Sequence, residues 1–138
     1  MKIIKKTITI GKRKRALAKA IIQEGKGKVL VNSKSIDLFP LFQRLALQEP
    51  IRLSQEIIGD KIKQYDIFVT VKGGGSEGQI DASRLAIARA IIAETKSAEL
   101  KKEFLCYDRM LLIADTRRKE QRKPNDSKAR AKRQKSYR

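Results

Sequence analysis

The sequence predicts an α+β body over residues 1–116, followed by an extended basic tail over residues 117–138. The clearest strand signal is the alternation of apolar side chains across residues 65–71. The clearest helix signal covers residues 80–95, where apolar side chains recur on one face. The tail contains no aliphatic residue larger than alanine, so it cannot bury enough surface to fold alone.

The first third of the body is predicted to be a set of short strands. Residues 3–10 are rich in β-branched side chains that alternate, which indicates an edge or half-buried strand. Residues 11–15 are expected to form a basic turn. Residues 16–23 contain helix-forming alanines, but a glycine turn at residues 25–27 follows them. A strand that forms a hairpin with residues 28–31 is therefore favoured over a helix.

Short helices are predicted between this hairpin and the clearest strand. Residues 35–39 are expected to form one helical turn that ends at Pro40. Residues 40–48 have the spacing of a short amphipathic helix, which is predicted to stop before Pro50. Residues 51–60 are interpreted as a loop or a partial helix.

The second half is predicted to be mainly helical. A glycine loop over residues 73–78 precedes the helix of residues 80–95. Ser97 is expected to cap a second helix that ends near Tyr107. Residues 110–114 then form a last apolar strand or turn.

Composition excludes several classes of function. The 138 residues include no histidine, which excludes imidazole catalysis and histidine-ligated metal sites. The single cysteine, Cys106, excludes an internal disulfide and a cysteine-based zinc cluster. No apolar run approaches the ~18–20 residues of a membrane span, and the N-terminus lacks the apolar segment of a secretory signal. We therefore expect a soluble intracellular protein, not an enzyme, that needs neither metal nor cofactor.

The net charge of +18 is concentrated at the two ends of the chain. Residues 1–19 hold eight basic side chains and no acidic one, and residues 117–138 hold eleven basic and two acidic. Residues 20–116 are nearly balanced, with 14 basic and 13 acidic side chains. Basic terminal segments typically bind nucleic acid or anionic membranes. Tyr137 is the only bulky apolar residue of the tail, so nucleic acid is favoured and no membrane partner is expected.

The glycine loop resembles nucleotide-binding loops only superficially. Gly73, Gly75 and Gly78 fit the spacing of the dinucleotide fingerprint, but the second strand with its acidic residue is missing. Gln79 stands where a phosphate-binding loop requires lysine. Two interpretations of the loop remain open. In the first, the loop presents backbone N–H groups to an RNA phosphate, with Lys72 beside it. In the second, the loop is only a tight turn that needs glycine for its backbone angles.

Several short blocks, spread in order along almost the whole chain, match one family pattern. Each block alone is weak, but their combination is specific. The blocks are GKRKRA at 11–16, GKGK and VN at 25–32, GGGSEGQ at 73–79, ARA at 88–90, LCYD at 105–108, DTRRKE at 115–120, KAR at 128–130 and QKS at 134–136. The chain thus resembles the small-subunit ribosomal protein nine family in its archaeal and eukaryotic form.

This resemblance implies a more detailed architecture and a set of partners. The family has a two-layer α/β body with a left-handed βαβ crossover, like the second domain of ribosomal protein five. Its body lies in the head of the small ribosomal subunit, on 16S-type rRNA and beside other head proteins. Its tail reaches the anticodon stem-loop of P-site tRNA.

The candidate binding residues follow from charge and from the resemblance. Four consecutive cations at residues 12–15 repel one another unless a polyanion relieves them. The candidates for rRNA contact are Lys12, Arg13, Lys14, Arg15, Lys72, Gly73, Gly74, Gly75, Arg117, Arg118, Lys119, Arg122, Lys123, Lys128, Arg130, Lys132 and Arg133. The resemblance implies tRNA contact for Lys135, Ser136, Tyr137 and Arg138.

Two other functions are compatible with parts of the sequence. The first is a stand-alone, nucleoid-type protein, which would bind nucleic-acid duplexes with little preference. The second is a small nucleotide-dependent enzyme that uses the glycine loop, a function that failure to bind ATP or NAD would exclude.

Overall fold

The computed structural model of the chain describes residues 6–125, 128–132, 134, 136 and 137. The strands are β1 (Thr7–Arg13), β2 (Ala16–Glu24), β3 (Val29–Val31), β4 (Lys34–Ser35) and β5 (Tyr65–Lys72). The α-helices are α1 (Leu41–Ile58), α2 (Ser76–Thr95) and α3 (Ala98–Tyr107). Short 3₁₀ helices cover Ile36–Leu38, Gly59–Gln64 and Arg109–Leu111. The mixed α+β class predicted from the sequence is therefore confirmed.

The strands form one sheet in the order β1-β2-β5-β3-β4. β1 is an edge strand, as the alternation of residues 7–10 predicts; residues 3–5 of that prediction lie outside the described residues. The predicted five-residue basic turn is wrong, because Arg13 pairs directly with Ala16 and only two residues make the turn. Residues 11–13 extend the strand instead.

The strand over residues 16–23 is confirmed, but its predicted hairpin with residues 28–31 is wrong. β3 pairs in parallel with β5, since β1 and β5 occupy the two edges of β2. The Asp66 carboxylate, in β5, accepts hydrogen bonds from the backbone N–H groups of Lys26 and Lys28, each 2.8 Å long. These bonds hold the segment between β2 and β3 against the start of β5. These bonds, led by that of Lys28, lower the pKa of Asp66.

α1 continues through the proline that was expected to end it. Pro50 lies inside the helix and is fully buried, and the Ser54 hydroxyl donates a 2.6 Å bond to its carbonyl oxygen. Proline disfavours a helix interior by about 3 kcal/mol. Packing of α1 against α2 and α3 offsets that cost, so the helix ends only at Gly59. Residues 51–60 are interpreted from the sequence as either a loop or a partial helix, and the helix is the correct interpretation because α1 continues to Ile58.

α2 begins earlier than predicted, at Ser76, and is buried on more than one face. It packs on β1, β2 and β5 and also against α1. Small side chains permit this close packing, because Ala18 and Ala20 of β2 and Ala82 and Ala86 of α2 are all fully buried. The core therefore lies between one face of the sheet and the helices.

The remaining elements agree with the sequence-based predictions. The Ser97 hydroxyl accepts a 3.3 Å bond from the backbone N–H of Leu100 and caps α3. Of the strand or turn predicted for residues 110–114, the turn is found, as a 3₁₀ helix over Arg109–Leu111. β3, α1 and β5 form a βαβ unit with parallel strands. The left-handedness of its crossover stays a prediction. Among the described residues, no helix is both long enough and apolar enough to cross a membrane.

Candidate nucleic-acid interface

Three segments that are distant in sequence meet at one end of the sheet. They are the turn between β1 and β2, the glycine loop before α2, and the first residues of the tail. Together they line an open concavity of about 940 Å³, which we call the basic pole. Its lining residues are Arg13, Lys14, Arg15, Gly74, Gly75, Ser76, Glu77, Gly78, Asp81, Asp115, Arg117, Arg118 and Lys119.

The turn between β1 and β2 supplies two free cations to the basic pole. Lys14 and Arg15 are the two turn residues, and both are exposed. Within the described part of the chain, neither pairs with a carboxylate, whereas their neighbour Arg13 does. Both charges are therefore available to an external anion.

Arg13 has a different environment, although it was predicted as a binding residue of the same kind. Its Nε lies 3.3 Å from an Asp81 carboxylate oxygen, and its guanidinium also pairs with Asp115. Arg13 is half-buried, and its charge is already partnered inside the protein. It supports the basic pole by joining β1, α2 and the start of the tail.

Asp115 holds the beginning of the tail in place. Its side chain is only 6% exposed, and it accepts a 2.9 Å bond from the backbone N–H of Arg117 as well as bonds from the Arg117 guanidinium. Arg117 and Arg118 are thereby fixed next to the basic pole. The prediction of binding residues omitted Asp115. An isolated acid at the junction with a basic segment is the signal that could have revealed it.

The first two glycines of the loop are required by its geometry. Gly73 and Gly74 have positive φ angles of 75° and 68°. A Cβ atom at Gly73 would lie 2.6 Å from the carbonyl oxygen of Arg15, and one at Gly74 would lie 3.0 Å from Ala16. The tight-turn reading therefore accounts for both residues.

The geometry of the turn does not require a glycine at position 75. Gly75 is the N-cap residue of α2, its backbone is extended, and a Cβ atom there would meet nothing within 4 Å. The backbone N–H of Gln79 makes the first helical bond to Gly75, so the N–H groups of residues 76–78 have no partner within the helix. The positive end of the α2 dipole thus faces a concavity that already holds Lys14 and Arg15.

Lys12 and Lys72 lie on a different surface from the basic pole. Leu17 of β2 pairs with Lys12 on one side and with Lys72 on the other, so these three side chains form one row across the sheet. That row is on the face that no helix covers, together with the exposed Ile8 and Ile10. Lys72 does not line the concavity at the glycine loop, because strand alternation places its side chain in this row; its contact with rRNA stays a prediction.

The described residues of the tail contain no helix or strand. Arg130 folds back onto Glu120 in an ion pair of 2.5 Å, which lowers the pKa of the Glu120 carboxylate. The other candidates of this segment that the structure describes are all exposed; they are Arg122, Lys123, Lys128, Lys132, Ser136 and Tyr137. The candidates Arg133, Lys135 and Arg138 lie outside the described residues.

The acids of the basic pole are engaged in contacts within the protein, which leaves its cations to bind an anion. Glu77 is bonded to Gln43, and Asp81 and Asp115 are paired with arginines. Within the described ranges, no group of three carboxylate or thiol side chains is placed to hold a metal ion. The basic pole also exposes the acids Glu77 and Asp81, but its cations outnumber its acids by six to three. The lysines, arginines and backbone N–H groups are the donors that can bind phosphate.

Comparisons with known proteins agree with this picture. The sequence model of the family described as ribosomal protein S9/S16 matches residues 11–138. The chain is 51% identical to small ribosomal subunit protein uS9 of Picrophilus torridus over 132 residues, which cover 95% of this chain and 96% of the relative. It is 47% identical to the protein of the same name from Methanococcus vannielii, over 94% of this chain and 96% of the relative.

Proposed function

We propose that this chain, which belongs to the ribosomal protein S9/S16 family, binds small-subunit rRNA through the basic pole. It is a structural protein and not an enzyme. The observation that carries the proposal is the convergence of three cationic or N–H-rich segments on one concavity. The names of its relatives support the rRNA of the small subunit as the ligand.

The basic pole recognises the RNA backbone rather than a particular base. A phosphate in the concavity accepts hydrogen bonds from Lys14, Arg15 and the free N–H groups at the start of α2. Arg118 and Lys119 contact neighbouring phosphates from the start of the tail. Each neutralised phosphate releases counterions, so the affinity falls as salt rises. Lys12 and Lys72 contribute a second, separate row of phosphate contacts on the uncovered face of the sheet.

The tail extends this binding to a second RNA. At ~3.3 Å per residue, residues 117–138 could span at most roughly 70 Å, far beyond the body. We place the body in the head of the small subunit, next to other head proteins, with Lys135, Ser136, Tyr137 and Arg138 at the anticodon stem-loop of P-site tRNA. The family resemblance and the strong excess of basic residues in the tail support this placement.

Gly75 offers a test that separates RNA binding from folding. Aspartate and asparagine are equally good N-cap residues, and this position has room for either side chain. Gly75→Asp therefore leaves the free energy of unfolding unchanged or slightly higher, but adds a negative charge to the basic pole. We expect its affinity for purified small-subunit rRNA to fall by about tenfold or more. Gly75→Asn engages the same N–H groups without adding charge, so its loss of affinity should be clearly smaller.

The measurement is filter binding at low salt, with urea unfolding of each variant as the folding control. Equal affinities of the Asp and Asn variants would contradict binding at the basic pole. A duplex DNA competitor that displaces the rRNA as well as unlabelled rRNA does would instead favour the nucleoid-type function.

A further inference from the structure

Four large apolar side chains stand exposed next to one another at the start of α1. Phe42 is 84% exposed, Leu38 74%, Leu41 55% and Leu45 41%. Leu45 is four residues from Leu41 and three from Phe42, so both lie beside it on the helix surface, and Leu38 ends the 3₁₀ helix just before α1. We call these four residues the apolar stripe. Adjacent exposed apolar residues of this size mark an interaction surface.

The apolar stripe continues into a shallow groove between α1 and the end of α3. The groove has a volume of about 540 Å³, and Tyr107 forms its far side with 58% of its surface exposed. Its lining residues are Leu45, Ala46, Glu49, Arg52, Leu53, Glu56 and Tyr107. The stripe and groove together form one elongated surface that can accept an extended or helical segment.

This surface lacks the cationic excess found at the two ends of the chain. Residues 35–57 hold three acidic side chains, Asp37, Glu49 and Glu56, against two basic ones. Glu49 is paired with Arg84, whereas Glu56 at the end of the groove is exposed. The surface therefore does not attract a polyanion as the basic pole does. The uncovered sheet face differs, because its exposed isoleucines and Leu17 alternate with lysines that suit RNA.

The surface lies close to the basic pole. The Gln43 side-chain amide donates a 2.7 Å bond to the carboxylate of Glu77, which joins the first turn of α1 to the first turn of α2. An occupant of the apolar stripe would therefore sit beside the bound RNA without competing for it. This is the position of a protein neighbour in a ribonucleoprotein particle.

We propose that the apolar stripe and its groove dock a neighbouring protein of the small subunit. The segment that binds has apolar anchor side chains and flanking lysines or arginines. The anchors cover Phe42 and Leu45, and the flanking cations face Glu56 at the end of the groove. This inference rests on the proposed function, because it assumes that the chain is built into the subunit.

The test places a photoreactive benzophenone side chain at Phe42, in the full-length chain, and reconstitutes small subunits from rRNA and purified small-subunit proteins. Phe42 is so exposed that this replacement leaves the body intact. We expect irradiation to link the chain to one other ribosomal protein in a nuclease-resistant product. The same probe at Leu38 should capture the same protein, and a probe at Lys14 should capture rRNA.

Mass spectrometry of the linked peptide decides the chemistry of the partner. A segment with apolar residues flanked by lysine or arginine supports the inference, whereas an acidic segment overturns it. Linkage to rRNA, linkage to a second copy of the chain, or no linkage in complete subunits also overturns it. Failure of the unmodified chain to enter subunits would instead contradict the proposed function itself.

Discussion

Single residues decide how closely the layers of the body approach each other. At Gly11 the strand β1 lies against α2, and a Cβ atom would lie 2.1 Å from the carbonyl oxygen of Ala82. The hydroxyl of Thr9, two residues earlier, donates a 2.9 Å bond to the carbonyl of Ala86. Since backbone atoms are in contact on both sides, no rotamer change can make room.

Gly11 and Gly78 should therefore respond in opposite directions to the same substitution. Gly11→Ala is expected to lower the free energy of unfolding by about 1–3 kcal/mol or more, because it overpacks two backbones. Gly78→Ala should raise it by about 0.5–1 kcal/mol, since Gly78 lies in the first turn of α2 and an added Cβ meets its neighbours at 3.8 Å. Urea unfolding midpoints of the two variants check this. A stable Gly11→Ala protein would contradict the close approach.

Asp66 makes the stability of the body depend on pH. Its pKa is lowered in the folded state, first by the bond from the backbone N–H of Lys28, so the ionised form stabilises the fold. This contribution is present above the unfolded-state pKa of about 4 and is lost as the pH falls through the lower folded-state value. We expect urea midpoints between pH 6 and pH 2.5 to fall more steeply for wild type than for Asp66→Asn. Parallel curves would contradict this role.

At the scale of elements, arginines join the helices to the start of the tail. Arg84 of α2 pairs with Glu49 of α1 at 2.5 Å and with Asp108 after α3 at 2.9 Å. Arg89 donates to the carbonyls of Leu112, at 2.9 Å, and of Ile10, at 2.7 Å. Arg89 of the ARA block and Asp108 of the LCYD block therefore hold elements of the body together.

Asp115 should be the key residue of this junction. Asp115→Ala removes the acceptor for Arg13 and for the backbone N–H of Arg117. We expect a loss of about 1.5–3 kcal/mol in the free energy of unfolding, as for hydrogen bonds to a charged group. Backbone NMR relaxation should also show greater motion of residues 116–119. Glu120→Ala is the matched control, because its partner Arg130 is exposed and no measurable change is expected.

At the scale of the whole molecule, the apolar core and the largest excess of positive charge lie in different parts of the chain. The sheet and helices bury their apolar faces without help from residues 117–138, and this tail holds eleven basic side chains. Under the proposed function, the body anchors on rRNA through the basic pole, and the end of the tail meets a second RNA.

Deletion of residues 135–138 tests this division. It removes two cations and the 88% exposed Tyr137, but leaves the basic pole intact. We expect P-site tRNA to bind purified subunits more weakly, by roughly tenfold at most, with unchanged sedimentation of the subunit. The difference should shrink as salt rises. Equal tRNA affinities at low salt would contradict tRNA contact, and missing subunits would show that these residues serve assembly.

By itself, the sequence determined the features that depend on local pattern. Alternation specified the strand at residues 65–71, spacing specified α2, and the charge distribution indicated both cationic ends. These signals are local, because the spacing of apolar residues along a segment and the charge of its side chains do not depend on what packs against that segment. The strand at residues 16–23 is favoured in the sequence by a hairpin with residues 28–31 that the structure does not contain. The motif blocks added the family, which the comparisons confirm.

Only the tertiary structure decided which partners each segment has. β3 joined β5 because both edges of β2 were already occupied, and α1 continued past Pro50 because packing outweighed the cost of proline. Among the predicted cations, the fold left Lys14 free, neutralised Arg13 and turned Lys72 to the other face of the sheet. Long-range contacts set these outcomes, since the free energy of a pairing depends on surfaces that lie far apart in the sequence.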